Sequence, residues 1–229
     1  SPIRKFLWGN SADPHLYYGA KGGIYSFAPR LSMESLITKT EFLDWYVSSD
    51  SLWTMEINTS TGELDISRDS IGFRNIFSSI SAIGDISTTT LVSAQFETIK
   101  GETVLLRDST GNNFFIVRAD KQFAVAAGKY FFSRFNNWWL FWSQYELWTY
   151  SEGAEPFLLN RSGIKFDDVK SLDQYNTLAL LRGGEISALF PYFYLSRTLV
   201  DDNVKLMVND PTGRILYFTN DDGIWKLNY

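Results

Sequence analysis

Three short strands and two turns are predicted by one C-terminal stretch, Lys205-Leu-Met-Val-Asn-Asp-Pro-Thr-Gly-Arg-Ile-Leu-Tyr-Phe-Thr-Asn-Asp-Asp-Gly-Ile-Trp-Lys-Leu227. Apolar and β-branched residues dominate the strands, Lys205–Val208, Arg214–Thr219 and Ile224–Leu227. The turns between them contain Asp-Pro-Thr-Gly and Asn-Asp-Asp-Gly. In such turns proline presets φ, aspartate and asparagine hydrogen-bond their own backbone, and glycine supplies a positive φ.

The chain opens with the same unit. A shift of 200 positions without a gap places Lys205–Leu227 on Lys5–Phe27. The identical residues are Lys5, Leu16, Tyr17, Gly23 and Ile24, which match Lys205, Leu216, Tyr217, Gly223 and Ile224. We therefore interpret the head and the tail of the chain as copies of one three-stranded unit.

Further copies are indicated between these two. An apolar strand, a polar segment and a glycine recur as Trp53–Gly62, Val104–Gly111, Phe157–Gly163 and Leu206–Gly213, with the glycines 49, 52 and 50 residues apart. Together with Lys5–Phe27 this predicts five copies of a repeat about fifty residues long. Strand-rich repeats of this length are typical of propellers and of repeat arrays.

Segments between the copies each predict one more strand. These strands are Phe42–Val47, Thr90–Phe96, Trp138–Trp142 and Leu178–Phe190. The sequence therefore predicts an all-β chain with one domain, 1–229, built as a five-bladed β-propeller of four-stranded antiparallel sheets. We expect its C-terminal segment to lie against the first blade and close the ring.

Two further observations bear on the fold. Trp138–Trp142 is apolar at every position, as expected of a strand buried on both faces between neighbouring blades. The alternative fold is a β-sandwich, which also needs many short strands but gives no reason for a repeat. Ser32–Ile37 could form one helical turn, and Phe73–Ile83 a short helix or a loop.

Composition narrows the function classes. The 229 residues are 45% hydrophobic and 17% aromatic, which suffices for one all-β domain. No apolar run approaches 18 residues, so no membrane insertion is predicted, and the N-terminus has no visible signal peptide. The absence of cysteine excludes disulfides and thiolate metal sites and suits a cytoplasmic or virion-associated protein. A net charge of −5 gives no basic footprint for nucleic acid.

Leu16–Phe27 and Ile215–Leu227 resemble the hairpin of propeller repeats, in which an apolar strand, a small polar turn with glycine and an Ile/Leu-aromatic strand follow one another. The predicted size and blade count resemble five-bladed lectin propellers, which present one sugar site per blade. Those lectins repeat almost residue for residue, and this chain does not. Its irregular, aromatic-rich blades are similar in style to propellers in tail and hub proteins of short-tailed phages. The resemblance implies a fold, with a viral structural or attachment role as one expectation.

Few residues suggest catalysis. His15 is the only histidine and no Gly-x-Ser-x-Gly motif accompanies it, so we predict a structural role for it. Glycoside hydrolysis by paired carboxylates is the alternative function. Its candidate acids, each near a variable strand, are Asp44, Asp85, Glu146 and Glu185. None of them stands in a distinctive motif, and no catalytic residue is assigned.

Three acidic segments could form calcium loops. They are Asp167–Asp168, Asp201–Asn203 and Asn220–Asp222. None has the Asp-x-Asp-x-Asp-Gly spacing of a calcium-binding loop. We predict turn roles for the last two segments, and neither a metal site nor a cofactor for the protein.

Aromatic residues outside the repeat strands suggest binding. Tyr145 and Trp148 follow a polar Ser143-Gln144 turn, and Tyr192, Phe193 and Tyr194 follow Pro191, which interrupts strand pairing. Exposed aromatic groups stack on sugars and anchor protein interfaces. The sequence therefore predicts a non-enzymatic binding or assembly module whose contact residues for a glycan or protein partner are these five.

Overall fold

The computed structural model describes residues 5–9, 14–40, 42–48, 51–70, 73–83, 86–133, 137–172, 177–191, 195–210 and 215–228. The chain divides into two compact units, 1–124 and 125–229. The predicted single domain and the closure of a ring therefore stay predictions.

Unit 1 contains three four-stranded antiparallel sheets. Sheet 1 is formed by β1 Lys5–Trp8, β2 Leu16–Ala20, β3 Gly23–Ala28 and β4 Met33–Thr38. Sheet 2 is formed by β5 Asp44–Ser48, β6 Ser51–Ile57, β7 Leu64–Ser70 and β8 Phe73–Ile80. A small β9–β10 pair, Ala82–Ile83 with Ile86–Ser87, and the helix α1 Thr88–Val92 follow. Sheet 3 is formed by β11 Gln95–Lys100, β12 Thr103–Arg107, β13 Asn113–Val117 and β14 Gln122–Ala126, which crosses the unit boundary.

Unit 2 contains two four-stranded sheets and one three-stranded sheet. Sheet 4 is formed by β15 Lys129–Ser133, β16 Trp138–Trp142, β17 Glu146–Ser151 and β18 Phe157–Arg161. Sheet 5 is formed by β19 Phe166–Ser171, β20 Leu178–Arg182, β21 Glu185–Phe190 and β22 Leu195–Asp201. Sheet 6 is formed by β23 Leu206–Asn209, β24 Ile215–Asn220 and β25 Gly223–Asn228.

Strand order within every sheet follows the chain, so each sheet is an antiparallel meander. First strands of successive sheets are bridged within a unit: Asn209 on β23 donates its side-chain N–H to the Ser171 carbonyl of β19 at 3.0 Å. Meanders stacked in sequence order are the blade architecture of a propeller. A β-sandwich joins distant strands by Greek-key connections instead. The predicted all-β propeller class is confirmed.

The predicted blade count and period are not confirmed. Among the described residues there are five four-stranded sheets and one three-stranded sheet besides the β9–β10 pair. Gly62 and Gly111 both join the second and third strands of their sheets, whereas Gly163 lies between sheets 4 and 5. The regular glycine spacing therefore does not mark equivalent positions. The reason is that Ser/Thr-Gly is turn chemistry that suits any connection between strands.

Residue pairing confirms the equivalence of head and tail for the second hairpin of each sheet and not for the first. Tyr18 pairs with Tyr25 in sheet 1, and Phe218 pairs with Trp225 in sheet 6, so the second hairpins share one register across the 200-residue shift. In the first hairpins the registers differ by one residue, since Phe6 pairs with Tyr18 but Leu206 pairs with Thr219.

Several local predictions are wrong. Thr90–Phe96 does not form one strand, because Thr88–Val92 is helical and the Ser87 Oγ accepts a hydrogen bond from the Thr90 N–H as an N-cap. Ser32–Ile37 does not form a helical turn, because Met33–Thr38 is the edge strand β4. Phe73–Ile83 forms strands instead of a helix or loop. Leu178–Phe190 is a hairpin and not one strand, with Gly183 and Gly184 at positive φ in its turn.

The core consists of apolar clusters between successive sheets. One lies between sheets 1 and 2 and includes Ile24 and Trp45, and a larger one joins sheet 2, α1 and sheet 3. In unit 2, one cluster joins sheets 4 and 5, and another joins sheets 5 and 6. The sheets thus stack face to face, and an inner sheet has two buried faces.

Candidate functional site

The turn between β16 and β17 carries the first predicted contact residue. The Ser143 N–H donates to the Glu146 carbonyl at 2.9 Å, and the Glu146 N–H donates to Ser143 Oγ at 3.2 Å. From the segment that leads to sheet 5, the Ser162 N–H donates to the Tyr145 carbonyl at 2.8 Å. The Phe166 N–H donates to the Gln144 carbonyl at 2.7 Å. The turn backbone is therefore held from its own hairpin and from the neighbouring connection.

Tyr145 projects from this fixed turn with 48% of its surface exposed. Trp148, on β17, is half-buried, and its indole N–H donates to Glu146 Oε2 at 3.2 Å. The structure thus places Tyr145 on the surface and tethers Trp148 near the same end of the hairpin. We call Tyr145, Glu146, Trp148 and Arg161 the aromatic turn site.

Arg161 and Glu146 form the polar part of the aromatic turn site. Glu146 Oε1 accepts hydrogen bonds from Arg161 Nε at 3.0 Å and from the Arg161 terminal nitrogen at 2.7 Å. The arginine side chain is 69% exposed, and the carboxylate is only 26% exposed. Hydrogen bonds thus link Glu146, Trp148 and Arg161, and Tyr145 directly precedes Glu146 in the chain. Aromatic rings can stack on a ligand ring, and a guanidinium can hydrogen-bond to its hydroxyl or carbonyl groups.

The aromatic residues of β16, which precede the turn, pack in the core. Trp139, Leu140, Phe141 and Trp142 are all buried, which confirms that this strand has no solvent-facing side. Trp139 and Phe141 stack with their ring centroids 6.2 Å apart. Tyr192, Phe193 and Tyr194 lie outside the described residues, and their contact role stays a prediction.

Carboxylates considered for hydrolysis are engaged elsewhere. Asp44 is buried and accepts hydrogen bonds from the Lys5 ammonium and from the Phe96 N–H, both at 2.7 Å. Glu146 holds Arg161 and Trp148, and Glu185 accepts from the Thr198 hydroxyl at 2.8 Å. Asp85 lies outside the described residues. Glu146 and Glu185 each stabilise a contact between paired strands, and Asp44 links strands of different sheets.

Acidic turn segments are likewise satisfied internally. Asp221 accepts hydrogen bonds from Lys205 and Asn203, and these interactions hold the pKa of its carboxyl below the usual value. Asn220 Oδ1 accepts from the N–H groups of Asp222 and Gly223 and from the Trp225 indole. Within the described ranges, no group of three or more His, Asp or Glu side chains is placed to hold a metal ion.

Two features of the structure were missed from the sequence. Arg161 was not identified as a partner of Glu146, although the 15-residue separation spans the hairpin that brings them together. Exposed aromatic residues at the start of the chain, Phe6 and Trp8, were also overlooked. Their alternation with Lys5 and Leu7 was the available signal.

In the described part of the chain no helix has the length and apolarity needed to cross a membrane.

No protein-family model matches this chain, and no curated protein matches it. Among solved structures it is similar to Hsv2 of Kluyveromyces lactis, at 11% identity and a TM-score of 0.47, over 99% of this chain and 74% of that chain. It is also similar to the β-propeller domain of Cps50 (Swd1) of Myceliophteria thermophila, at 11% identity and a TM-score of 0.45, over 99% of this chain and 84% of that one. Likeness at this level gives no information on ligand or partner.

Proposed function

We propose that this protein is a non-enzymatic binding module that contacts a glycan or protein partner through the aromatic turn site, extended by Tyr192, Phe193 and Tyr194. The observation that carries the proposal is the half-exposed Tyr145 side chain on a backbone held by four hydrogen bonds. Rigid aromatic groups lose little conformational entropy on binding, which is why they recur as interface anchors.

Electrostatics of the site supports recognition of a polar partner. The Arg161 guanidinium is largely exposed but oriented by Glu146, so its remaining N–H donors point from a fixed position. Trp148 is anchored through the same carboxylate. A sugar ring or a protein loop that stacks on the aromatic groups would meet these donors without reorganising the site.

Removal of both aromatic groups tests the proposal. The double variant Tyr145→Ala/Trp148→Ala should lose about 2 kcal/mol of binding free energy, roughly a 30-fold rise in Kd, if these residues are hot spots. The probe is the labelled protein on a glycan array, with affinity capture of proteins as a second arm. Phe157→Ala is the matched control, because Phe157 is similarly exposed on β18 of the same sheet.

Two results would count against the proposal. A double variant that has lost its thermal unfolding transition shows that the residues belong to the core. Hydrolysis of a glycan by the purified protein, abolished by replacing a single acid such as Glu185, shows that it is an enzyme.

A further inference from the structure

The fourth strand of sheet 1, β4, forms one edge of that sheet and pairs within it only with β3. Met33 and Leu36 lie on opposite sides of the sheet, since Met33 pairs with Ala28 and Leu36 pairs with Tyr25. The Met33 side chain is 58% exposed and the Leu36 side chain 43%. The edge therefore presents an apolar side chain on each side of sheet 1.

Backbone groups along β4 are also open to a further strand. A strand at the edge of a sheet bonds its neighbour with one row of its N–H and C=O groups and turns the other row outward. From Met33 to Leu36 the register with β3 runs without a break, and a bulge comes only between Leu36 and Thr38. The regular part thus offers an outward row of donors and acceptors that an extended peptide matches.

Three other fourth strands are protected in ways that β4 is not. Charged side chains on an edge strand oppose pairing with a further strand. β22 carries Arg197 and Asp201, and β18 ends on Arg161. β14 has no charge, but none of its large apolar side chains is exposed. β4 carries Glu34 as its one charge, and the Tyr18 hydroxyl donates to that carboxylate.

Cations flank β4 in the sequence. Arg30, in the turn before the strand, and Lys39, directly after it, are both exposed. Two copies of β4 would pair unfavourably, because antiparallel strands would bring Arg30 of one copy towards Lys39 of the other, and parallel strands in register would align like charges. A segment with a carboxylate near each end would meet both cations, and an apolar centre would place no second charge opposite Glu34. The charge pattern therefore favours a different protein over a second copy.

We propose that β4 is a docking edge for an extended segment of a partner protein, which adds to sheet 1 as a fifth strand. Main-chain hydrogen bonds to the outward row of β4 hold the segment. Its apolar side chains contact Met33 and Leu36 on the two sides of the sheet, and acidic residues near its ends pair with Arg30 and Lys39. The edge shares no residue with the aromatic turn site, so the proposal does not depend on the proposed function.

Peptide selection on the purified protein tests the proposal. The probe is a displayed library of random peptides about ten residues long, enough to span the six residues of β4 and both cations. Selected peptides should have apolar residues at their centre and Asp or Glu towards both ends.

Variants of the edge then identify where a selected peptide binds. Met33→Asp and Lys39→Glu should each raise its Kd about tenfold. Neither substitution should unfold the chain, because both side chains are exposed. Ile76→Asp, at a position 63% exposed on β8 of sheet 2, is the matched control and should bind the peptide as the wild type does.

Backbone methylation of the selected peptide gives a second test. An N-methyl group at a residue whose N–H faces β4 removes a hydrogen bond, whereas at the next residue it points away from the edge. Loss of binding should therefore alternate along the peptide with a period of two residues. Binding that tolerates methylation at every position overturns strand addition. So does a library that yields no peptide sensitive to Met33→Asp, or self-association of the wild-type protein that Met33→Asp abolishes.

Discussion

Ile24 and Ile224 occupy the same position in two copies of one three-stranded unit, yet Ile24 is 3% exposed and Ile224 is 80% exposed. Each follows the glycine that opens the third strand of its sheet, and each pairs with the equivalent residue of the second strand, Gly19 or Thr219. Sheet 2 covers Ile24 with Trp45 and Val47. Identical local structure therefore leads to opposite burial, because a neighbouring sheet is what buries a residue.

Substitution of Ile24 and of Ile224 should change the free energy of unfolding by different amounts. Ile24→Ala should lower the free energy of unfolding by about 2–5 kcal/mol, because it leaves a cavity in the cluster between sheets 1 and 2. Ile224→Ala should change it by no more than about 0.5 kcal/mol. Urea unfolding at low protein concentration measures both. Equal losses would show that the two positions share one environment.

The glycines that precede these isoleucines form a second matched pair. Gly23 and Gly223 have φ of 141° and 142°, so the backbone strain of a Cβ is the same at both. A Cβ at Gly23 would lie 1.9 Å from the Thr38 carbonyl oxygen of β4, whereas nothing lies within 4 Å at Gly223. Gly23→Ala should therefore destabilise the protein by about 2 kcal/mol more than Gly223→Ala. Comparison of the two denaturation midpoints decides this, and a smaller loss at Gly23 than at Gly223 would contradict it.

Lys5 and Lys205 occupy equivalent positions at the starts of sheets 1 and 6, and we expect their ion pairs to contribute differently to stability. Lys5 donates to Asp44 and to the Trp45 carbonyl, and Asp44 also accepts from the Phe96 N–H, so one buried carboxylate ties the first strands of sheets 1, 2 and 3. Asp44→Ala should cost about 3 kcal/mol, because it leaves a lysine and a backbone N–H without their partner. Lys5→Met should cost less, since the Lys5 side chain is 27% exposed.

The matched control for the Lys5–Asp44 pair is Lys205→Met. Lys205 pairs with Asp221 at the surface, where an ion pair contributes little. We expect a change within about 0.5 kcal/mol in thermal or urea unfolding. If Lys205→Met costs as much as Lys5→Met, burial of the carboxylate is not what distinguishes the pairs.

Asp108 should contribute a pH-dependent part of the stability. Burial alone would raise the pKa of its carboxyl, but hydrogen bonds from the Asn113 and Thr110 side chains and from two backbone N–H groups bring it below 3.8. A depressed folded-state pKa stabilises the fold fully above the unfolded-state pKa, and this stabilisation is lost as pH falls through the folded-state pKa. The stability difference between wild type and Asp108→Asn should therefore shrink on acidification below the usual pKa of 3.8. Urea unfolding at a series of pH values checks this, and a difference that does not change with pH would refute it.

Local features of the fold were predictable because turn chemistry and side-chain alternation act over a few residues. The hairpin Gly223–Asn228 with Ile215–Asn220 forms as the Asn-Asp-Asp-Gly turn indicates. Thr90–Phe96 was assigned wrongly because the Ser87 cap lies outside the apolar run and starts a helix that its threonines and valine disfavour intrinsically. Equal glycine spacing was over-interpreted, because it reflects turns at different places in successive sheets.

The candidate site was predictable only in part. Tyr145 was identified because a polar turn precedes it, and it is exposed in the structure. The ion pair of Arg161 with Glu146 required the β17–β18 register, in which a bulge separates Leu147 from Trp148. No sequence pattern gives the position of such a bulge. Exposure of Phe6 and Ile224 could not be predicted either, because it depends on which sheet lies beside each strand.

The sequence by itself determined the all-β class, the hairpins and the kinship of head and tail, since strand propensity, turn residues and self-similarity are all properties of short segments. Tertiary structure alone decided how many strands each sheet has and which face is covered. It also decided whether the carboxylate partners of Lys5 and Lys205 are buried or exposed, and likewise Ile24 and Ile224. Burial and ion-pair strength depend on groups brought together from distant parts of the chain, and those groups lie outside any local pattern.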